Sequence, residues 1–258
     1  NIDHRTRHAD FGNAAAAGQA RWLGTSIASL TNLNAALVVG SFLRKDHPLF
    51  AQRIRQAIRK GAQVFSLNAA HDDWAMALAG RMTAAPSGWL QQLADVAGYV
   101  ATAKGVTAPA TALVNDQAKA AADALLSGEH KAVLLGNAAA QHPQAGALLA
   151  LANWLAEHTG AAVGYLSEAA NSVGAQLVKA MPADGGLSAG QMLSQPMKAL
   201  LLLDVEPVLD SADGAAAKAA LAGSGLVVAF TSFKDAAVDN ADVLLPIAPF
   251  TETAGTFV

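Results

Sequence analysis

The feature that most constrains the fold is a strand, a loop, a helix and a second strand in direct succession at residues 37–68, LVVGSFLRKDHPLFAQRIRQAIRKGAQVFSLN. The uncharged, β-branched run at 35–40 is typical of a strand buried on both faces. Asp46 predicts an N-cap and Pro48 a first helical turn, and a second apolar run follows at 62–67. A short helical crossover between two buried strands requires parallel pairing.

The same succession recurs along the chain, which predicts an α/β protein with parallel sheets and flanking helices. Further strands are predicted at 131–136, 161–166, 197–203, 225–230 and 241–247, with an alanine-rich helix near 212–222. Residues 88–127 read as two helices, the second opened by Pro109. The Gly-, Pro- and Ser-rich stretch 181–196 predicts an irregular loop.

Composition excludes several classes of function. The chain has no cysteine, which excludes disulfides, thiolate zinc sites, iron–sulfur ligation and a cysteine nucleophile within these 258 residues. A net charge of −3 gives no basic footprint for nucleic acid. Hydrophobic residues make up 53%, but no run of about 18 strongly apolar residues predicts a transmembrane helix.

The loop Gly40–Pro48 has the position of a phosphate-binding loop but lacks its chemistry. Neither G-x-G-x-x-G nor G-x-x-x-x-G-K-[ST] is present. Phe42 and Leu43 lie at its centre, where a backbone that approaches phosphate requires small or polar residues. We therefore expect the loop to act as an apolar plug or to pack against a partner.

The remaining candidates are weak. His4 and His8 have a spacing that can bind metal on a helix, but Asp3, Asp10 and two arginines favour a salt-bridged surface turn. The HDDW stretch at 71–74 could hold a metal or relay a proton, and we favour a helix N-terminus with Trp74 in the core. Glu252 follows a strand, where ligand loops occur, but stands alone, and no G-x-S-x-G exists. The residues themselves yield no catalytic set.

Five stretches, in order, resemble the molybdopterin oxidoreductases over nearly the whole chain: NIDHRTRHADF (1–11), the stretch 37–68, ANSVGA (170–175), ALLLLDVEP (199–207) and ADVLLPIAPFTETAGTFV (241–258). The resemblance implies two wound, Rossmann-like units, as in the middle domains of formate dehydrogenase and DMSO reductase. It places them at 1–168 and 169–258, the second being incomplete in what we expect to be a piece of a longer protein.

Three departures from the family pattern coincide. In the family enzymes the opening motif carries a molybdenum ligand, and Ala9 aligns with that position. The loop that contacts the pterin dinucleotide reads Gly-x-Asn-Pro in the family, and Phe42 and Leu43 replace its last two residues. The following Asp-Pro-Arg is replaced by Asn68, Ala69 and Ala70. We therefore expect no catalytic, cofactor-binding or metal-binding residue in this chain.

Within the family, the NIDHR, VGSFLRKDHP and ANSVGA stretches most resemble the G subunit of bacterial NADH-quinone oxidoreductase, the respiratory complex I. This implies a catalytically silent domain of a large peripheral-arm subunit, on the cytoplasmic side of the inner membrane and without direct insertion into it. It implies iron–sulfur clusters elsewhere in the parent chain. The expected partners are the other peripheral-arm subunits and the N-terminal, cluster-bearing part of the same chain. The alternatives are a fragment of a true molybdoenzyme related to formate dehydrogenase and a generic nucleotide-binding module.

Overall fold

The chain forms two compact units, each built around a parallel sheet. The structure, a computed structural model, describes residues 1–11, 21–183, 185–234 and 239–258. One unit contains residues 12–169, and the other joins residues 1–11 to residues 170–258. The prediction of an α/β fold with parallel sheets and flanking helices is confirmed.

The first unit contains a five-stranded sheet in the order β3-β2-β1-β4-β5, with every pair parallel. Its strands are β1 (Ala35–Val39), β2 (Gln63–Asn68), β3 (Gly80–Thr83), β4 (Lys131–Leu135) and β5 (Ala162–Tyr165). Its helices are α1 (Leu43–Asp46), α2 (Pro48–Arg59), α3 (Trp89–Lys104), α4 (Asp116–Leu126), α5 (Asn137–Ala140) and α6 (Ala145–Thr159).

The central strand β1 is buried along its whole length because both faces of the sheet are covered. Leu37 and Val39 point into one core with α3, α4 and α6. Ala36 and Val38 alternate with them and point into the other core, where α2 packs. This explains why β1 reads as an unbroken apolar run rather than as an alternating strand.

The second unit has a three-stranded parallel sheet in the order β6-β7-β8. Its strands are β6 (Leu200–Leu203), β7 (Val227–Thr231) and β8 (Val243–Pro246), and its helices are α7 (Ser172–Leu177), α8 (Ala189–Met192), α9 (Pro207–Asp210) and α10 (Gly214–Gly223). Asn1 accepts a hydrogen bond from the Leu187 amide, and the Thr6 carbonyl accepts one from Ala212. These bonds tie residues 1–11 to this unit, whereas the sequence placed them in the first.

One face of the second sheet is exposed to solvent. Leu200 and Leu202 pack with Leu221 of α10 on the covered face. Leu201 and Leu203, which alternate with them, are 72% and 71% exposed. All-parallel sheets normally have both faces covered, so this face is unusual for the fold.

Three local predictions are wrong, and one strand was missed. The second helix of the middle region does not open at Pro109; it begins at Asp116, with Asn115 as N-cap. The N-cap of α2 is His47 rather than Asp46, and Pro48 occupies the first turn as predicted. The stretch 181–196 is not wholly irregular, because a capping box between Ser188 and Gln191 starts α8. Strand β3 was not predicted, since GRMT at an exposed sheet edge lacks an apolar β-branched run.

None of the described helices has the length and apolar character needed to cross a membrane.

Candidate functional site

The carboxyl ends of β1 and β4 are the position where an α/β sheet of this order would bind a ligand. The strand order reverses between these two strands, with β2 and β3 on one side and β5 on the other. In open parallel sheets the crevice at such a reversal accepts the ligand because the loops diverge there. The loops beginning at Gly40 and Gly136 flank this position.

Here the two loops close on each other. Gly40 has a φ of +64°, and a Cβ atom on it would lie 2.5 Å from the amide nitrogen of Ala139. A Cβ on Gly136 would lie 2.3 Å from the Cβ of Ser41. The amide of Ala138 donates to the Gly40 carbonyl at 3.0 Å. The backbone of the protein itself therefore fills the space between the strand ends.

Two side chains of the Gly40–Pro48 loop turn inward, while Lys45, Asp46 and Pro48 are exposed. Leu43 is fully buried, and Ser41 is nearly so. The Asp46 carboxylate accepts the amide of Phe42 at 2.9 Å. That amide lies just before α1, where a phosphate loop would offer it to an anion. Leu43 packs in the core beside α2, and Phe42 packs against the same core while remaining half-buried.

Asn68, at the end of β2, connects the loops rather than facing solvent. Its side-chain amide donates to the Ser41 carbonyl at 2.7 Å, while Ala69 and Ala70 are exposed. Two buried polar atoms at this edge, His47 Nδ1 and Asn137 Oδ1, have no hydrogen-bond partner among the described residues. His47 Nε2 lies 2.7 Å from the Ser167 carbonyl oxygen, which fixes the orientation of the ring.

The opening motif of the chain is organised around a buried ion pair. Arg5 donates from Nε and Nη2 to the two carboxylate oxygens of Asp3, at 2.8 and 2.9 Å. The same carboxylate accepts backbone amides from His4, Arg5 and Ala189. Burial opposes ionisation of Asp3, but the Arg5 side chain and the Ala189 amide outweigh it and hold the pKa of this carboxyl below its usual range. With five hydrogen bonds accepted, Asp3 is a structural anchor.

The predicted salt bridge in this motif is therefore present, but the predicted surface turn is wrong, since the Asp3 side chain is fully buried and Arg5 and His8 are buried. His4 Nδ1 donates to the Ala180 carbonyl at 2.9 Å, and that bond anchors the ring within the second unit. Among the residues described, no group of three or more His, Asp or Glu side chains is arranged to hold a metal ion.

Ala9, the position that aligns with the family's metal ligand, is exposed and lines a cleft of about 350 Å³. A methyl group has no lone pair to offer molybdenum. Two polar neighbours in the cleft already serve as helix caps: Ser188 Oγ accepts the Gln191 amide, and Asp213 accepts the Ala216 amide. Ala9 therefore offers no metal ligand at this position.

The HDDW stretch forms a turn, and the predicted helix N-terminus there is wrong. Asp73 accepts the amide of Ala75, whose φ is +53°, and also pairs with Arg44 at 3.0 Å. An aspartate that bonds two residues onward favours such a turn over a helix. Trp74 is buried as predicted. Glu252 is exposed in a short 3-10 helix.

A buried polar cluster on α3 was missed by the sequence reasoning. Asp95 is 1% exposed and accepts the Leu113 amide at 2.7 Å and the Gln91 side chain at 2.8 Å. Asn115 lies beside it and receives support from the Tyr99 hydroxyl, which accepts its amide. These bonds hold the 105–115 loop against α3. The sequence signal that could have indicated this cluster is the acidic Asp95 within an otherwise apolar helical stretch.

Comparison with known proteins gives a consistent result. The family model described as molybdopterin oxidoreductase matches residues 1–258. Proteins named as the G subunit of NADH-quinone oxidoreductase are similar: that of Mycobacterium bovis is 27% identical over 99% of this chain and 32% of its own length. That of Streptomyces coelicolor is 29% identical over 99% of this chain and 34% of its own. That of Pseudomonas putida is 33% identical over 64% of this chain and 19% of its own.

The chain thus spans about a third of the length of the first two of these relatives. Among solved structures, a chain of the formyltransferase/hydrolase complex from Methylorubrum extorquens, in complex with methylofuran, superposes with a TM-score of 0.56. The match covers 94% of this chain and 69% of that chain at 17% sequence identity, and it therefore bears on the fold alone.

Proposed function

The chain belongs to the molybdopterin oxidoreductase family, and from that premise we propose that it is a structural, catalytically silent domain of the G subunit of an NADH-quinone oxidoreductase. The parent complex would transfer electrons from NADH to quinone through iron–sulfur clusters. The similarity over 99% of this chain to proteins that carry this name supports the assignment of the parent. This domain would hold none of the clusters, since its 258 residues contain no cysteine.

The observation that carries the silent role is the closure between β1 and β4. A nucleotide or pterin at this position would have to displace the Ala138–Gly40 hydrogen bond and the contact of Gly136 with Ser41. It would also meet Asp46 at the Phe42 amide, a carboxylate where an anionic ligand needs a donor. The absence of a ligand atom at Ala9 supports the same proposal independently.

The proposed partners follow from the bare face of the second sheet. Leu201, Leu203, Val243 and Leu245 are all exposed on strands of an all-parallel sheet. Such sheets are normally covered on both sides. Because the relatives are about three times as long, we assign the cover to another part of the parent chain, and place other peripheral-arm subunits around the domain. Neither nucleic acid nor a membrane-inserted segment belongs to this proposal.

The test is made on the intact parent chain in its native membranes, where we place it on the cytoplasmic side of the inner membrane. After mild detergent extraction, a native gel is stained for NADH dehydrogenase activity, and peptides of residues 1–258 are quantified by mass spectrometry. The proposal expects them in a large NADH-oxidising band with no molybdenum or tungsten by elemental analysis. Migration elsewhere overturns the parent assignment.

Variants at the two closed loops distinguish a structural role in assembly from a role in cofactor binding. Gly136→Val forces the two loops apart at Ser41 and should lower assembly, whereas the matched control Gly88→Ala, whose nearest neighbour would lie 3.6 Å away, should not. The Ser41→Ala change, at the loop itself, should leave NADH oxidation per assembled complex unchanged if the loop binds no cofactor. Stoichiometric molybdenum in the band, or a loss of specific activity in Ser41→Ala at normal assembly, would favour a true molybdoenzyme instead.

A further inference from the structure

Helix α2 presents a positively charged surface to solvent. Its outward positions, with the residue that follows the helix, are Gln52, Arg53, Arg55, Gln56, Arg59 and Lys60. At about 100° per residue they span an arc of about 160°. We call Arg53, Arg55, Arg59 and Lys60 the basic face; all four are exposed. The helix contains no carboxylate at all.

The other side of α2 fixes the helix in place. Ile54 and Ala57 are fully buried, and Ala51 is nearly so. They pack in the core beneath β1 with Val38. The guanidinium groups therefore project from a rigid support, and the apolar side of the helix is not available to enter a lipid bilayer.

The fold accounts for only part of these charges, since Lys60 Nζ donates to the Thr31 carbonyl at 3.4 Å. Arg55 and Arg59 lie one turn apart, a spacing at which like charges destabilise a helix. The helix dipole favours cations only in the last turn, so it accounts for Arg59 and Lys60 but not for Arg53 or Arg55. Ion pairs between described residues include Arg5–Asp3, Arg7–Asp210, Arg44–Asp73 and Lys119–Asp123. None of them neutralises the basic face.

We propose that the basic face binds a carboxylate-rich surface of a neighbouring protein subunit. The inference rests on the proposed function, which places the chain in a multi-subunit complex. Three of the four cations are arginines, whose planar forks pair with carboxylates in a bidentate geometry. Leu49, 78% exposed at the start of the helix, adds an apolar contact beside the charges. A nucleic-acid partner is disfavoured by the net charge of −3.

The test places Arg55→Glu/Arg59→Glu in the full parent chain and measures assembly in native membranes. The readout is the ratio of the chain in the NADH-oxidising band to the unassembled chain, at equal total chain. We expect a fall of at least about tenfold, because reversal converts attraction across the interface into repulsion. The matched control, Lys104→Glu/Lys218→Glu, makes the same charge change at two exposed sites on α3 and α10 and should stay within about twofold of the wild type.

The neutral double variant Arg55→Gln/Arg59→Gln keeps the inference testable if the charge-reversed variant misfolds. It should assemble less than the wild type, and its assembly should change less with ionic strength, since the screened attraction has been removed. In the wild-type complex, zero-length carbodiimide coupling should join Lys60 to an aspartate or glutamate of another subunit. Normal assembly of both variants, an equal loss in the control, or coupling of Lys60 only to its own chain would overturn the inference.

The two proposals fail in different ways. If the wild-type chain lies outside the NADH-oxidising band, the proposed function is overturned, and this inference with it. If the wild type lies in the band and Arg55→Glu/Arg59→Glu joins it equally, only the inference is overturned. A variant that keeps its subunit content but loses binding to vesicles of anionic phospholipid, or to RNA, would assign the basic face to that ligand and also overturn the inference.

Discussion

Removing the Asp3 carboxylate should open the segment that links the start of the chain to α8. In Asp3→Ala, Arg5 is left buried with an uncompensated charge, and the amide of Ala189 loses its acceptor. Breaking a buried pair by removing one partner costs about 3–5 kcal/mol. At about 1.4 kcal/mol per tenfold change, the protection of this segment against opening should fall by about 100- to 3000-fold.

The assay is hydrogen exchange with mass spectrometry on the intact parent chain, read at peptides covering residues 1–11 and 185–193. Asp3→Asn keeps the shape and one acceptor oxygen, so its effect should be smaller than that of Asp3→Ala. Asp210→Ala removes the partner of exposed Arg7 together with the acceptor of the Glu206 amide, and should cost about 1–2 kcal/mol, less than Asp3→Ala. Equal protection in the wild type and Asp3→Ala would refute the reasoning, as would equal losses in Asp3→Ala and Asp210→Ala.

The same pair sets a pH dependence whose sign follows from the lowered pKa of Asp3. A carboxyl with a depressed pKa in the folded state contributes stability that is fully present above its ordinary value of 3.8. The contribution disappears as the pH falls through the lower, folded-state value. Protection of the segment in the wild type should therefore decrease below about pH 4, whereas Asp3→Ala should show no such decrease from this group.

Three further changes test other parts of the structure. Asp95→Ala leaves the Leu113 amide and the Gln91 side chain without their buried acceptor and should cost about 1–3 kcal/mol. The loss should appear as faster proteolysis within residues 105–115, while exposed Asp123→Ala should leave proteolysis unchanged. Gly136→Ala places a methyl group 2.3 Å from the Cβ of Ser41 and should lower the free energy of unfolding by about 1–3 kcal/mol. Denaturant titration measures the change, with Gly88→Ala as the control. Equal unfolding midpoints for the two variants would contradict the closure of the two loops. Asn171→Ala removes the acceptor of the Val258 amide and the donor to the Thr256 carbonyl, so exchange at residues 256–258 should accelerate while the peptides of α10 stay protected.

The basic face and the bare sheet face differ in what they require of a partner. Covering Leu201 and Leu203 buries apolar surface, a contribution that salt does not weaken. Contacts of Arg55 and Arg59 with carboxylates are screened as ionic strength rises. In the proposed parent complex, rising salt should therefore release the proposed partner of α2 before it exposes the second sheet.

The sequence by itself determined the class of fold, because that class follows from local patterns. The apolar run of β1, the Pro48 start of α2 and the glycines after it are short-range signals, and their repetition implies parallel sheets. The sequence also located the three departures from the family pattern at Ala9, Phe42–Leu43 and Asn68. Each departure can be read from the identity of one or two residues in the sequence.

Tertiary structure alone decided how the residues around those positions pack. The contact of Gly40 with Ala139 joins residues about a hundred positions apart, and no local pattern encodes it. The start of α4 at Asp116, with Asn115 as N-cap, rather than at Pro109 depends on Asp95 and Tyr99 of α3, which hold the preceding loop. The exposure of Leu201 depends on which face of its sheet is covered. These features are long-range because they are set by which elements meet, and composition and spacing along the chain do not specify that.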